Sequence, residues 1–297
     1  MKSNLTINLS PWHSLDELFQ AVLDGKLGPA PSELIATSAF WLCHTTRLAG
    51  SSATYLNHYV LLRSGGSFGA ASFALGDVDT SYCAKTSGLS LADIMRGEAP
   101  LPVRVAALDA YLAETTPHRA TSGAEVVALP AGRPEEKARA RDNAIAELLE
   151  LRAGQRVALI GVVNPLIAAI EARGGRCLPC DFNLRVTNWN QPVAHAMEEV
   201  LAKADAVVAT GMTLANGTFN RILAHCRTLR LPLVIYAQTG SAIARSFLGS
   251  GVTALCAEPF PFSQFSADQT MLYRYRAAAE RAYETAGQTH EPVGIGS

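Results

Sequence analysis

The chain has 297 residues, of which 48% are hydrophobic and 17% charged, with a formal net charge of −1. That length allows one large domain or two ordinary ones, and the apolar content excludes a disordered chain. Without a basic excess, and with its few aromatic residues scattered, the sequence offers neither nucleic acid nor an anionic membrane surface an obvious partner.

The longest apolar stretch, VALIGVVNPLIAAI at 157–170, is too short to cross a bilayer and is interrupted by Asn164-Pro165. The opening MKSNLTINLSPWHSLDELF lacks the basic-then-apolar pattern of a signal peptide. A cytoplasmic location is therefore expected. Six dispersed cysteines (Cys43, Cys83, Cys177, Cys180, Cys226, Cys256) are expected to be free thiols.

In chain order, Ser14 caps a short helix over Leu15-Asp16-Glu17-Leu18 that ends near Gly25. Three strand-like runs follow: ELIATSAFWL, TYLNHYVLL and FGAASFAL, the last two joined through RSGGS at 63–67 as a hairpin. Ser90 starts another helix, and Pro102 opens a longer one through VRVAALDAYLAE, with apolar residues at helical spacing. Residues 1–118 thus read as an α+β domain. The stretch TTPHRATSGAEVVALPAGRP, with its prolines and glycines, contains a linker at 119–134 with room for one strand in EVVAL.

From Pro134 the pattern changes. A charged helix, EEKARARDNAIAELLEL, leads into VALIGVV, after which helices and strands alternate: PLIAAIEARG, RCLPCDF, AHAMEEVLAKA, AVVAT, FNRILAHCRTL, LPLVIYA, AIARSFLGSG and VTALCA. Short continuous apolar strands are buried on both faces, so residues 135–297 read as an α/β, doubly wound parallel sheet. Ligands of such sheets sit outside the carboxyl ends of the strands, where the strand order reverses. After Arg276 a short helix and a polar, glycine-containing end are expected.

Those strand ends carry the candidate site residues. In TGMTLANGTFNRIL, 210–223, the strand-end residues Thr210 and Gly211 are followed by Thr213, Asn216 and Thr218 before the next helix. Such a turn either needs glycine dihedrals and a cap, or presents helix-start amides to a ligand. In GVVNP, Pro165 suits the first helical position and Asn164 the cap before it. Asp181 stands 20 residues after Gly161, where dinucleotide folds place the acid that holds a ribose hydroxyl. Because only Gly161 of a G-x-G-x-x-G fingerprint is present, a pyrophosphate-bearing cofactor is disfavoured, and a nucleoside or amino-acid-like ligand is left open. Gln238 and Thr239 end the fourth strand, with Ser241 suited to cap the helix after it, and Glu258 ends the last strand.

Cys177 and Cys180 form a lone C-x-x-C along a strand, where residues three apart face opposite sides, so at most one thiol faces the site. A metal role for it needs partners such as His44, Cys83 or His195. Cys43-His44 ends the first strand-like segment, and Tyr82-Cys83-Ala84-Lys85 offers a lysine to an anion. There is no nucleophile elbow, P-loop or Ser/His/Asp arrangement, and no catalytic residue is nominated.

ADAVVATGMTLANGTFNRIL, with GVVNPLIAAIEARG before it and SGVTAL after it, resembles the Rossmann-like domain of the putative heavy-metal chelation proteins. These are two-domain proteins whose first domain is similar to the N-terminal domain of enolase. Asp205, Thr210, Gly211, Thr213, Leu214, Asn216, Gly217 and Thr218 match the family's signature, and PVRVAALDAYLAE resembles the helix that ends its first domain, with Asp109 in place of the usual asparagine. Two positions depart from the pattern: Ala237-Gln238-Thr239-Gly240-Ser241 lacks the proline of the family's G-P-S-x-P-L-like turn, and Asp181 stands where the family often has glutamate.

The resemblance implies an enolase-N-terminal-like α+β domain followed by a Rossmann-like sheet, with a metal or metal chelate in the cleft between them. The ligand-binding set expected is Gly161, Asn164, Asp181, Thr210, Gly211, Thr213, Asn216, Thr218, Gln238 and Thr239, with Cys43, His44, Cys83 and Cys180 as metal-ligand candidates. The competing expectation is a transferase or lyase that uses S-adenosylmethionine on an amino-acid-like substrate, with Asp181 on the ribose. Either way the expected partner is a small molecule, and a homodimer is an option.

Overall fold

The structure, a computed structural model, describes residues 12–47 and 54–278. The readings of the first residues and of the tail beyond 278 lie outside that range. Helix α1 (Leu15–Leu23) starts where expected, Ser14 Oγ accepting the Glu17 amide. Strands β1 (Ser38–Thr46), β2 (Tyr55–Ser64) and β3 (Ser67–Phe73) form an antiparallel sheet in that order. The β2–β3 hairpin turns at Gly65-Gly66, between the paired Ser64 and Ser67. Strand β1 starts later than the apolar run suggested, because Ile35 makes only an isolated bridge to Ser90.

Helix α2 (Ser81–Thr86) was not expected; α3 (Leu91–Arg96) is capped by Ser90 as expected. Helix α4 (Leu101–Thr115) is buried nearly all round, because β3 covers one side of it and a helix of the larger sheet the other. The approach to β3 is close: a Cβ at Gly69 would lie 2.0 Å from the Ala110 nitrogen and 2.1 Å from the Ala106 oxygen.

After a 3-10 turn at His118–Ala120 come β4 (Glu125–Leu129), in the EVVAL segment, and α5 (Pro134–Ala146). The alternation then runs β5 (Arg156–Ile160), α6 (Asn164–Glu171), β6 (Arg176–Cys180), α7 (Met197–Leu201), β7 (Ala206–Thr210), α8 (Met212–Ala215), α9 (Phe219–Leu229), β8 (Leu233–Ala237), α10 (Ser241–Arg245) and β9 (Ala254–Ala257). It ends in β10 (Thr270–Arg276), which was not expected. Together β4 to β10 make a seven-stranded sheet in the order β4-β10-β9-β8-β7-β5-β6. Strands β5 to β9 are parallel; β10 runs antiparallel to both its neighbours, β4 and β9. The fold is therefore mixed α/β with a parallel-rich sheet.

Alternation along the strands divides the interior. Ala158, Ile160, Cys180, Val207 and Ile235 face the layer that contains α4, α9 and the small sheet. Val157, Leu159, Cys177, Val208 and Val234 face α5 and α6. The two thiols of the C-x-x-C thus lie in opposite cores, as their spacing required. The strand order turns back between β5 and β7: β6 lies beyond β5, whereas β8 and β9 continue beyond β7. The carboxyl ends of β5 and β7 therefore flank the crevice that such sheets use for ligands.

One local reading is corrected. Asn164 is the first residue of α6 and not its cap, which is the extended Val163 with no side-chain bond to the helix. The reason is tertiary: the buried Asn164 amide donates to the Tyr55 hydroxyl of β2 (2.8 Å), and its oxygen accepts the Asn188 amide (2.8 Å). Helices α7 and α10 are also shorter than their apolar patterns suggested.

Candidate functional site

A cavity of about 300 Å³ opens at the carboxyl ends of the parallel strands and is roofed by the small sheet. Gly161 after β5, Asp181 after β6, Thr210 of β7, Gln238 and Thr239 after β8, and Glu258 after β9 form its floor and one wall. His44 of β1 and Tyr55, Asn57 and Tyr59 of β2 face them. Lys137 and Arg141 of α5 and Leu272 of β10 close the remaining side.

Local geometry explains several of these positions. Gly161 has φ of +88°, and a Cβ there would lie 2.5 Å from Thr210 Cγ2 and 2.9 Å from the Tyr236 hydroxyl. That hydroxyl donates to the Gly161 carbonyl at 2.7 Å, so Tyr236 and Thr210 fill the space a larger residue would need. Asp181 is spent on backbone: Oδ2 accepts the Val162 amide (2.9 Å), and Oδ1 accepts those of Asn183 (2.8 Å) and Leu184 (3.1 Å). The amide that would greet an anion after β5 is therefore already taken.

The charged groups at the closed end are mutually held. Lys137 donates to the carbonyls of Ser266 (2.8 Å) and Asp268. Glu258 accepts from the Ser263 amide and, at 2.8 Å, from Gln238, which also donates to Gln264 at 2.8 Å. Arg141 is different. Its Nε donates to Asp142 Oδ1 at 3.0 Å, and among the described residues no hydrogen bond engages its two terminal nitrogens. The Arg141 side chain remains 19% accessible. Burial alone would lower its pKa, but the Asp142 and Glu258 carboxylates outweigh burial and push it up, so the guanidinium stays charged. Burial pushes Asp142 up in turn, and its Oδ2 has no partner among the described residues. Burial also raises the Tyr59 phenol to about 12.

Of the expected ligand-binding residues, Gly161, Asp181, Thr210, Gln238 and Thr239 line the cavity. Asn164, Gly211, Thr213, Asn216 and Thr218 do not. Thr213 turns its hydroxyl onto the Thr210 carbonyl (2.7 Å). Asn216 Oδ1 accepts from the Thr218 amide (3.1 Å) and hydroxyl (2.7 Å), a side-chain turn that joins α8 to α9. A Cβ at Gly211 would meet the Thr239 carbonyl at 2.2 Å, so that glycine serves the close approach of two strand-end loops.

Of the metal-ligand candidates only His44 lines the cavity. Burial lowers its pKa, and Nε2 pairs with the Thr46 hydroxyl at 2.7 Å. Cys43 is exposed on β1, and Cys83 lies on α2, its thiol raised by burial. Cys180 is buried, its thiol pushed up to about 11. All six cysteines are free. Among the described residues no three His, Cys, Asp or Glu side chains group as a metal site. Nor is any helix there long and apolar enough to cross a membrane. His195, the other histidine considered, pairs Nδ1 with the Asp181 carbonyl at 2.9 Å.

The sequence reading missed Arg141, Tyr55, Tyr59 and Tyr236. Arg141 had a signal: with Asp142 it occupies the stripe marked by Ala138 and Ile145, where a helix buries one face.

A second buried polar cluster lies off the cavity, between α4, α10, β10 and the 3-10 turn. Asp109 Oδ2 accepts the Ala70 amide (3.0 Å), and Oδ1 accepts those of Ala242 (2.9 Å) and Ile243 (3.4 Å). Burial nevertheless lifts its carboxyl to about 6. His118 Nδ1 meets Tyr275 Oη at 2.8 Å and an Arg245 terminal nitrogen at 3.4 Å, and Nε2 meets Ser241 Oγ at 3.2 Å. A guanidinium only donates, so Nδ1 accepts and Nε2–H donates to Ser241. That tautomer does not let His118 act as a base toward Ser241. Burial, helped by Arg245, depresses His118 to about 3.

Residues 143–257 match the model of the DUF364 family, described as "Putative heavy-metal chelation". The resemblance carried by the TGMTLANGT segment is thus found in the part of the chain that holds β5 to β9. No curated protein matches the sequence. Among solved structures, a DUF364-family protein with unknown function from Desulfitobacterium hafniense is similar with a TM-score of 0.54 at 16% identity, over 81% of this chain and 84% of that one. Another from Pyrococcus horikoshii gives a TM-score of 0.48 at 16% identity, over 81% of this chain and 86% of that one. The first likeness shows a shared fold.

Proposed function

We propose that this chain is a small-ligand-binding protein whose cavity takes a small organic acid, including the chelate that such an acid forms with a metal. The observation that carries the reading is Arg141. It is a half-buried, charged guanidinium held from behind by Asp142, in the cavity lining and with its terminal nitrogens unengaged among the described residues. A planar fork of donors in a low-dielectric site is suited to a carboxylate. The reading takes residues 1–118 as an enolase-N-terminal-like unit and 135–297 as a Rossmann-like unit, with the ligand between them. The two separate sheets and the cavity at the strand-order reversal support this.

The family description supports metal binding. The side chains in the described region do not fit a bare ion, because no three ligands converge. In this reading the metal arrives with its coordination supplied by the organic acid, and His44 is the one candidate metal ligand placed to meet it.

The test is isothermal titration of metal-stripped protein with mono-, di- and tricarboxylates, each with and without Ni²⁺, alongside Ni²⁺ alone and S-adenosylmethionine. At least one acid or chelate is expected to bind. Arg141→Lys, which keeps the charge and loses the fork, should weaken that binding tenfold or more. Ni²⁺ alone binding as tightly as any acid, and equally to Arg141→Lys, would overturn the reading. Binding of S-adenosylmethionine that is lost in Asp181→Ala would install the nucleoside reading in its place.

A further inference from the structure

We infer that the ligand is a monocarboxylate with an uncharged, apolar body, seated acid end first. This rests on the proposed site and deepens it, from three observations.

The cavity has a closed end and an open one. Around Arg141 the lining is almost wholly buried: Tyr59 is 4% exposed, Glu258 3% and Leu272 0%. Toward the β6 end Asn183 is exposed, and Tyr55, Leu184 and Met212 are half-buried. The donor fork is therefore at the bottom and the apolar surface at the mouth.

Charge limits the ligand to one acid group. The carboxylates of Asp142 and Glu258 already match the charges of Arg141 and Lys137, and two of the three Lys137 N–H groups donate to backbone carbonyls. One ligand carboxylate can take the terminal nitrogens of Arg141. A second would find only Lys137, a buried ammonium already donating to two backbone carbonyls, and would face Glu258 at the bottom or Asp181 near the β6 end. Burying an unpaired carboxylate is costly.

Size and surface set the rest. About 300 Å³ is at the small end of ligand sites, where apolar walls supply most of the contact and a few polar groups fix orientation. The ligand's remainder lies along Tyr55, Leu184 and Met212, so it is apolar and without charge.

The experiment is titration of the full chain with butanoate, hexanoate and 3-phenylpropanoate against succinate, malate and citrate. 3-Phenylpropanamide serves as the neutral control. The best monocarboxylate is expected to bind at least tenfold more tightly than the best polycarboxylate and than the amide. Its binding should fall tenfold or more in Arg141→Lys. Met212→Asp, at a half-buried lining position outside the hydrophobic cores, should weaken 3-phenylpropanoate more than butanoate. A polycarboxylate or its Ni²⁺ chelate binding best, and losing affinity in Arg141→Lys, would overturn this inference while the proposed function stands. Equal binding of the amide would also overturn it. No Arg141-dependent binding by any acid would remove both.

Discussion

Asp109 and His118 should titrate against each other, and a single substitution should expose the half that remains. His118 is depressed from 6.5 to about 3 in the folded chain. As pH falls below 6.5 the unfolded chain takes a proton that the folded chain refuses, and stability is lost down to about pH 3. Asp109 is raised from 3.8 to about 6. Its stabilising contribution is fully present below 3.8 and is lost as pH rises through about 6. At about 1.4 kcal/mol per unit, lowering the pH from neutral to 4 costs roughly 3 kcal/mol through His118 and returns roughly 3 kcal/mol through Asp109. The two nearly cancel. In His118→Gln only the Asp109 effect survives, so the stability of the variant minus that of the wild type should rise by about 3 kcal/mol between about pH 7 and 4. In Asp109→Asn the corresponding difference should fall by a similar amount. Guanidinium unfolding followed by circular dichroism across that range measures both, and taking differences removes surface groups such as Asp205, which its hydrogen bond with Arg156 holds low in every variant. Two differences that stay flat with pH would refute the reasoning.

Three other outcomes are expected. Gly69→Ala should destabilise by about 1–3 kcal/mol or more, because the new Cβ meets the α4 backbone and not a movable side chain; denaturant midpoints measure it. Tyr236→Phe should cost about 1–3 kcal/mol by stranding the Gly161 carbonyl, read from the same melts. Asn216→Ala should cost about 1 kcal/mol or less and leave the binding of any acid ligand unchanged in titration, because its side chain makes a turn off the cavity.

The alternating second half was legible because its strands are continuous apolar runs, and the rule that ligands sit at strand carboxyl ends pointed to the end of the sheet where the cavity lies. Gly161, Asp181, Thr210, Gln238 and Thr239 followed from that frame and do line the cavity. The amide-rich segment 211–218 misled for a local reason: the groups that suit a ligand also satisfy each other, and Asn216 and Thr218 do so. Arg141 was obscure because a charged helix reads as solvated; its place on the apolar stripe was the one sequence signal, and the contact with Asp142 and the cavity give it meaning. Strand β10 was hidden by its arginines. Arg274 lies within it and reaches Glu125 and Glu147, a pairing that sequence spacing does not reveal. The roof residues Tyr55 and Tyr59 come from a distant segment, so nothing local marked them as neighbours of the strand ends.

The placement of β10 has a consequence for the order of assembly. It is the last strand among the described residues, yet it sits between β4 and β9, so β4 has no partner in the sheet until β10 arrives. Pairing Leu129 with Thr270 closes a loop of nearly half the chain, a slow step because the entropy of closure is lost before contacts repay it. Leu272 from this strand also walls the closed end of the cavity beside Arg141. During synthesis the helix with Arg141 emerges long before the strand that seals the cavity. If the cavity binds an acid as proposed, that competence is acquired late, and a bound acid would mark chains that have finished folding.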